Sequence, residues 1–213
     1  MKKYKHIIWD WNGTLLNDRW LCVEAINQSL DKRSIPTITE EKYKDVFSFP
    51  VEDYYRKVGF DFVKEPFHIA GDEFVSYYGE NFHRVSLHSD SILVLNEIKK
   101  SGLSQSVLSA GRQDFLIDWI YNHDLSNFFT MVLGIDNQYA TGKIELGMSC
   151  IKKIPYESHD VMMVGDTNHD SDVAEAMGIE CVLVENGHMN RKRLEKTGRK
   201  VVSDLNEFMR ILI

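Results

Sequence analysis

The chain begins with a short apolar run, Ile7-Ile8-Trp9, that stops at Asp10-Trp11-Asn12-Gly13. A β-branched run halted by polar residues and a glycine reads as a buried strand feeding a functional loop. Helical spacing follows. Asn17 or Asp18 can cap a helix that runs to about Arg33. Residues 36–85 read as helical with breaks. Thr39 is a good N-cap before Glu40-Glu41, and Pro50 opens a second segment. A third segment carries Phe67, Ala70, Phe74, Tyr77, Tyr78 and Phe82 at helical spacing. That aromatic stripe predicts the packed core of a helical unit.

From Ser89 the pattern alternates. A helix over about 89–101 closes at Gly102, and Ser106-Val107-Leu108-Ser109 reads as a strand. A helix carrying Phe115, Leu116, Trp119 and Ile120 precedes a strand at Met131–Ile135. A helix over 144–154 leads to the strand Val161–Val164, which ends at Gly165-Asp166. A helix near 169–177, a strand at Cys181–Val184, a short helix near 190–196, a strand near 200–203 and a last helix complete the order. Strands alternating with helices predict an α/β fold, a doubly wound parallel sheet covered on both faces. The helical stretch after the first strand is too long for one crossover and reads as an inserted α-helical cap. The expected division is a core of residues 1–16 and 87–213 and a cap of residues 17–86.

Composition narrows the partners. The 213 residues carry 43% hydrophobic and 27% charged side chains, a globular balance able to bury a core without disulfides. The net charge of −7 argues against nucleic acid and anionic membrane as partners. An anionic metabolite remains compatible, since a local metal ion or lysine outweighs the global charge. Cys22, Cys150 and Cys181 are far apart and read as buried or free thiols of a reducing compartment. The apolar run before Asp10 is short for a signal peptide, and no segment approaches a membrane span. The expectation is a soluble cytoplasmic protein, monomer or homodimer.

Candidate chemistry sits where the strands end. In an open parallel sheet, ligands bind beyond the carboxyl ends of the strands. Three expected strands end at Asp10, Ser109 and Asp166. Two carboxylates meeting there would repel, and one would hold a proton. A hard divalent cation such as magnesium removes the conflict with two carboxylates and a backbone carbonyl.

These residues resemble the four motifs of the haloacid dehalogenase superfamily, and the resemblance spans nearly the whole chain. Ile7-Ile8-Trp9-Asp10-Trp11-Asn12-Gly13-Thr14-Leu15-Leu16 is similar to the family's strand followed by D-x-D-G-T-L. Ser109 stands as the second motif and Lys143, in Gly142-Lys143-Ile144-Glu145, as the third, with Lys152 or Lys153 as substitutes. Val164-Gly165-Asp166-Thr167-Asn168-His169-Asp170 is similar to G-D-x-x-x-D, and Val173-Ala174-Glu175-Ala176-Met177-Gly178 continues it in the phosphoglycolate-phosphatase-like manner.

The resemblance implies a Mg2+-dependent phosphatase. Asp10 would attack phosphorus and form an aspartyl-phosphate, splitting a hard hydrolysis into two easier steps. Magnesium would bind the Asp10 and Asp166 carboxylates and the Asn12 backbone carbonyl. Asp170 would orient metal-bound water or the lysine. Ser109 would donate to a phosphoryl oxygen, joined by the Ala110 N–H, and Lys143 would neutralise charge. Gly13 would let the backbone turn closely beside the phosphate. Trp11 would point toward the cap and line the cavity. Arg112 reads as reaching an anionic substrate or as a solvated helix residue, and His169 as a solvent-facing helix start or a proton relay. The substrate class implied is a small phosphorylated metabolite, a phosphoglycolate-like acid or a sugar phosphate. Specificity would lie in the cap, with Phe47-Ser48-Phe49-Pro50-Val51 as a candidate loop.

One position departs from the pattern. Asn12 stands where the family's phosphatases carry the acid/base aspartate, and an amide does not titrate near pH 7. General acid–base catalysis contributes about 10²–10⁴-fold. Three readings follow. The chain is a working phosphatase with a substitute acid or a good leaving group. It is a slow enzyme or a phospho-ligand-binding protein. Or it performs other Asp10 chemistry, such as phosphonate hydrolysis, which requires a cap lysine among Lys42, Lys44, Lys57 and Lys64.

Overall fold

The computed structural model describes residues 4–136 and 142–212. Six parallel strands form the central sheet: β1 (His6–Trp9), β4 (Ser104–Arg112), β5 (Met131–Ile135), β6 (Val161–Gly165), β7 (Glu180–Val184) and β8 (Lys200–Val202). Their order is β5-β4-β1-β6-β7-β8. The chain builds outward from β1 to β5, then returns to build the other half from β6. The order therefore reverses between β1 and β6, which pair directly from His6 opposite Val161 to Trp9 opposite Val164. A crevice opens at such a reversal, beyond the strand carboxyl ends. Asp10 follows β1 and Asp166 follows β6, so the topology sets the two carboxylates on either side of it.

Side-chain alternation along β1 divides the core. Ile7 and Trp9 join one apolar cluster with Val94, Leu95 and Phe208, while Ile8 joins the other with Leu108, Met163 and Leu183. Successive strand residues point to opposite faces, so each face of the sheet receives its own layer of helices. Those helices are α5 (Ser91–Lys100), α6 (Gln113–Asn122), α7 (Lys143–Ile151), α8 (Asn168–Met177), α9 (Arg191–Leu194) and α10 (Leu205–Leu212).

Four helices lie between Asn17 and Ser86: α1 (Arg19–Lys32), α2 (Glu40–Val46), α3 (Val51–Val58) and α4 (Phe67–Asn81). They share a third cluster built from Ile26, Leu30, Tyr43, Tyr54, Tyr55 and Ala70. The chain enters and leaves this helical unit through a two-stranded antiparallel ribbon, β2 (Leu16–Asn17) and β3 (Ser86–Leu87). Thr39 caps α2 as expected, its hydroxyl accepting from Lys42 N–H at 3.1 Å.

Local differences from the sequence reading have physical causes. Asp18 occupies the N-cap position of α1, but its side chain makes no capping bond. Its carboxylate turns inward, where stronger charged partners wait. Strand β4 runs past Ser109 to Arg112, with a shift of register against β5 between Leu108 and Arg112. Such an irregularity re-aims side chains near the end of a strand.

Candidate active site

The site is built from the loops after β1, β4 and β6 and from the start of α7. Lys143 opens α7 and is 2% exposed. Its ammonium donates to Asp10 Oδ1 at 2.5 Å and to Asp170 Oδ1 at 2.6 Å. The other Asp170 oxygen accepts from the Thr167 hydroxyl at 2.7 Å and from the Thr167 N–H at 3.0 Å. Asp170 thus closes a capping box on α8 with one oxygen and orients the lysine with the other. Lys152 and Lys153 are not needed in that place.

Thr14 holds the two remaining carboxylates together. Its hydroxyl lies 3.1 Å from both Asp10 Oδ2 and Asp166 Oδ1. Oxygens of Asp10, Asp166 and Asp170 all lie within 4.8 Å of one another. Three buried carboxylates face one ammonium. Burial pushes the Asp10 carboxyl well above its ordinary range, with Lys143 opposing and the other two carboxylates adding. Burial likewise pushes Asp166 up to about 6, with His188 opposing. Burial also opposes ionisation of Asp170, yet Lys143 outweighs it and holds that carboxyl low. The surplus of negative charge on hard oxygen donors fits a divalent cation such as magnesium.

A second buried charge cluster stands directly beside the first. Asp18 Oδ1 accepts from Gly13 N–H at 2.8 Å and lies 3.3 Å from His188 Nε2. Asp18 Oδ2 accepts from the Tyr78 hydroxyl at 2.7 Å and from Asn12 Nδ2 at 2.9 Å. Tyr43 Oη lies 2.9 Å from His188 Nδ1. Burial opposes charge on His188, but Asp18 outweighs it and raises the imidazole to about 9. Burial similarly opposes Asp18, and His188 outweighs it and lowers the carboxyl. The pair is ionised and its partners are internal to the protein.

The cavity between these clusters and the cap has a volume of about 500 Å³. Asp10, Asn12, Ala110, Lys143, Asp166 and Asp170 contribute to its lining. Ser109 is fully buried behind that lining; its hydroxyl accepts from Gly111 N–H at 2.9 Å and faces Asn12 Oδ1 at 3.4 Å. It holds the loop and the Asn12 amide, and does not open onto the cavity as expected. The Cβ absent from Gly13 would come within 2.4 Å of Asp166 and 2.3 Å of His188. With φ at +76°, Gly13 joins the two charge clusters, a closer constraint than the expected approach to phosphate.

The sequence matches the family model of haloacid dehalogenase-like hydrolases over residues 7–184. The chain belongs to that family. Among curated proteins none matches the sequence. Solved structures of the fold do. A haloacid dehalogenase-like hydrolase from Streptococcus pneumoniae is 17% identical, with a TM-score of 0.85 and all of both chains covered. A predicted phosphatase from Clostridium acetobutylicum is 18% identical, with a TM-score of 0.83 over 98% of each chain. A predicted phosphoglycolate phosphatase from Haemophilus somnus 129pt is 18% identical, with a TM-score of 0.82 over all of both chains.

In this haloacid dehalogenase-like chain, Trp11 corrects the sequence reading. It is fully buried in the cluster of Ile7 and Trp9, with its ring 6.3 Å from His123, and does not line the cavity. Alternation explains this: if Asp10 faces the site, its neighbours on either side face away. His169 is not a solvent-facing helix start. Its ring lies 4.7 Å from Phe49 of the cap, and burial lowers its pKa. Arg112 lines the cavity but forms a bidentate pair with Asp114, its Nε donating to Oδ1 at 3.0 Å and its Nη2 donating to Oδ2. Phe47 and Phe49 line the cavity, as the candidate loop implies. Lys42, Lys44, Lys57 and Lys64 do not; Lys57 donates to Ser48 and Lys64 pairs with Asp61. Phosphonate-type chemistry through a cap lysine has no support among the described residues.

Sequence reasoning assigned no site role to Thr14, Tyr43 or His188, and it read Asp18 as a helix cap and Tyr78 as part of the aromatic core stripe. Gly187-His188, just past β7, offered the same signal as the other motifs, a polar residue beyond an apolar strand. The cap tyrosines offered none that separates them from core aromatics.

Among the described residues, no helix is long and apolar enough to cross a membrane. All three cysteines are buried free thiols.

Proposed function

We propose that the chain hydrolyses a small phosphorylated metabolite in a magnesium-dependent reaction through an aspartyl-phosphate on Asp10. The observation that carries this reading is the Lys143 ammonium bridging Asp10 and Asp170 beside Asp166, all at the floor of a cavity closed by the cap. Lys143 occupies Asp10 Oδ1 and Thr14 contacts Oδ2, which fixes the nucleophile in one orientation. Magnesium would be held by Asp10, Asp166 and the Asn12 carbonyl, and when bound supplies charge neutralisation to the phosphoryl group. Lys143 neutralises part of the charge on nucleophile and phosphoryl oxygens. Ala110 lines the same floor, and its N–H would receive those oxygens, while the Gly111 N–H is already given to the Ser109 hydroxyl.

Asn12 bears on the rate. Its amide gives both N–H groups to Asp18 and Tyr78 and faces the Ser109 hydroxyl with its oxygen, so it has no donor left for a leaving oxygen and delivers no proton. A slow enzyme that accumulates phospho-Asp10 is the second reading, and this fixed amide favours it. The test is phosphate release from a panel of phosphorylated metabolites with magnesium, with Asp10→Asn as the blank. Release that disappears in the blank and on chelation supports the phosphatase. Release equal to the blank, with a phosphoryl group trapped on Asp10 after acid quench, moves the function to the second reading. Neither release nor trapping refutes both.

A further inference from the structure

Beyond the floor, the cavity changes character. Its lining includes eleven Phe, Tyr and Trp rings. Phe47 and Phe49 come from the turn between α2 and α3, where their rings meet His188 and His169. Phe74, Phe82, Phe115 and Trp119 come from α4, the 3-10 turn after it and α6. Phe82 and Trp119 stack on each other at 4.0 Å, and Phe115 continues the stack at 6.2 Å. These rings brace one another into a wall.

Charge in this half is already spent. Lys143 is held by two carboxylates, Arg112 by Asp114 and His188 by Asp18. The His169 ring lies 4.7 Å from Phe49, and burial lowers its pKa. The remaining ionisable lining includes the acidic Asp118. The other basic lining residue is His83, which is exposed and has its Nδ1 3.0 Å from the Glu80 carbonyl, so a second carboxylate on the substrate would be desolvated among rings and like charges with only that outlying imidazole to meet it. That is costly for any ion. Size points the same way. A volume of about 500 Å³ falls in the range of about 300–1,000 Å³ that accommodates drug-sized ligands, and a two-carbon acid fills a small part of it.

We propose that the substrate is a phosphomonoester whose organic part is uncharged and carries a flat ring, held by the Phe47–Phe49 turn and the Phe82–Trp119 wall. This rests on the phosphatase reading of the same site and narrows it away from a phosphoglycolate-like acid. Rings prefer offset or edge contacts with other rings, and apolar pockets reward filling.

The experiment compares alkyl phosphates of similar leaving-group type: benzyl phosphate, 2-phosphoglycolate and ethyl phosphate. Acetyl phosphate serves as a small reference that makes little demand on the cap. The expected result is a kcat/KM for benzyl phosphate at least tenfold above 2-phosphoglycolate and ethyl phosphate. Phe74→Leu and the half-exposed Phe115→Ser should each lower the benzyl-to-acetyl ratio several-fold, with thermal melts confirming folded protein. A preference for 2-phosphoglycolate, with acetyl phosphate turned over, overturns the substrate class and leaves the phosphatase standing. Failure on every compound breaks the phosphatase reading. The substrate class is then decided by binding of benzylphosphonate against phosphonoacetate to the protein with magnesium. Tighter benzylphosphonate supports it, and equal or tighter phosphonoacetate overturns it.

Discussion

Two buried charge clusters touch at Gly13, and they are built on opposite plans. Asp10, Asp166 and Asp170 outnumber their one cation, Lys143. Asp18 and His188 balance, and Tyr43, Tyr78, Asn12 and the Gly13 N–H supply hydrogen bonds to them. An unbalanced buried cluster is incomplete without a ligand that brings positive charge. A balanced one is finished architecture, whose removal costs stability and whose function is to hold its neighbours. The difference separates what the site needs from outside and what the fold supplies.

The largest effect should come from the nucleophile. Asp10→Asn should lower turnover by about 10⁴-fold or more, to the level of the blank, since no other group replaces covalent chemistry. Residual turnover within tenfold of the parent would mean that another group attacks phosphorus. Next is Lys143→Met, which leaves buried carboxylates without their cation. Breaking such a pair costs about 3–5 kcal/mol. Denaturant unfolding without metal should register that loss. An unchanged midpoint would show that the carboxylates simply take up protons.

The two clusters meet at Asn12, and a substitution there tests the contact. Asn12→Asp would restore an acid but set a second carboxylate 2.9 Å from where Asp18 Oδ2 now accepts the amide. One carboxyl would hold a proton and donate it to the other, which ties up the new acid, and Tyr78 would lose the amide donor. The single variant should therefore melt lower and gain little. The double variant Asn12→Asp with Asp18→Asn exchanges donor and acceptor. Its turnover should rise by about 10²-fold, the low end of general acid–base assistance. If the single variant gains as much as the double, Asp18 does not restrain Asn12.

Much of the unbalanced cluster was legible in the sequence, because each member follows an apolar strand or sits in a compact motif. Asp10 and Asp166 directly follow β1 and β6, and the parallel sheet that holds both strands follows from alternation, while their direct pairing is seen only in the structure. The balanced cluster was not legible. Its members come from α1, α2, α4 and the segment after β7, and only cap packing brings them together. Asp18 in particular matches a helix N-cap, a local rule that ion pairing with His188 overrode. Trp11 failed for a simpler reason: the alternation that aims Asp10 at the site turns its neighbour into the core.

Magnesium should sharpen the contrast. It should raise the melting temperature of the parent protein, since a ligand at about 100 times its Kd adds about 2.7 kcal/mol. Asp166→Asn should remove most of that gain, while Asp18→Asn, though less stable at the outset, should keep it. Equal loss in both would mean that the clusters act as one metal site.

The smallest effect separates the clusters by pH. Without metal, Asp166 carries a raised pKa of about 6, so its charge is disfavoured in the folded state. Stability from this group falls as pH rises from its unfolded value, about 3.8, to about 6. His188 also carries a raised pKa, about 9, but here the charged form is favoured by folding. Its contribution is complete below about pH 6.5 and is lost as pH rises toward about 9. Even about 1 kcal/mol of that loss moves Tm by ~2–4 °C for a chain of this size. Melting curves in chelator from pH 6 to 9.5 should show the decline in the parent and not in His188→Gln. Magnesium should flatten the acid window and leave the alkaline one, because the ion answers only the unbalanced cluster. An identical alkaline decline in parent and variant would mean that the imidazolium is not what holds Asp18 in place.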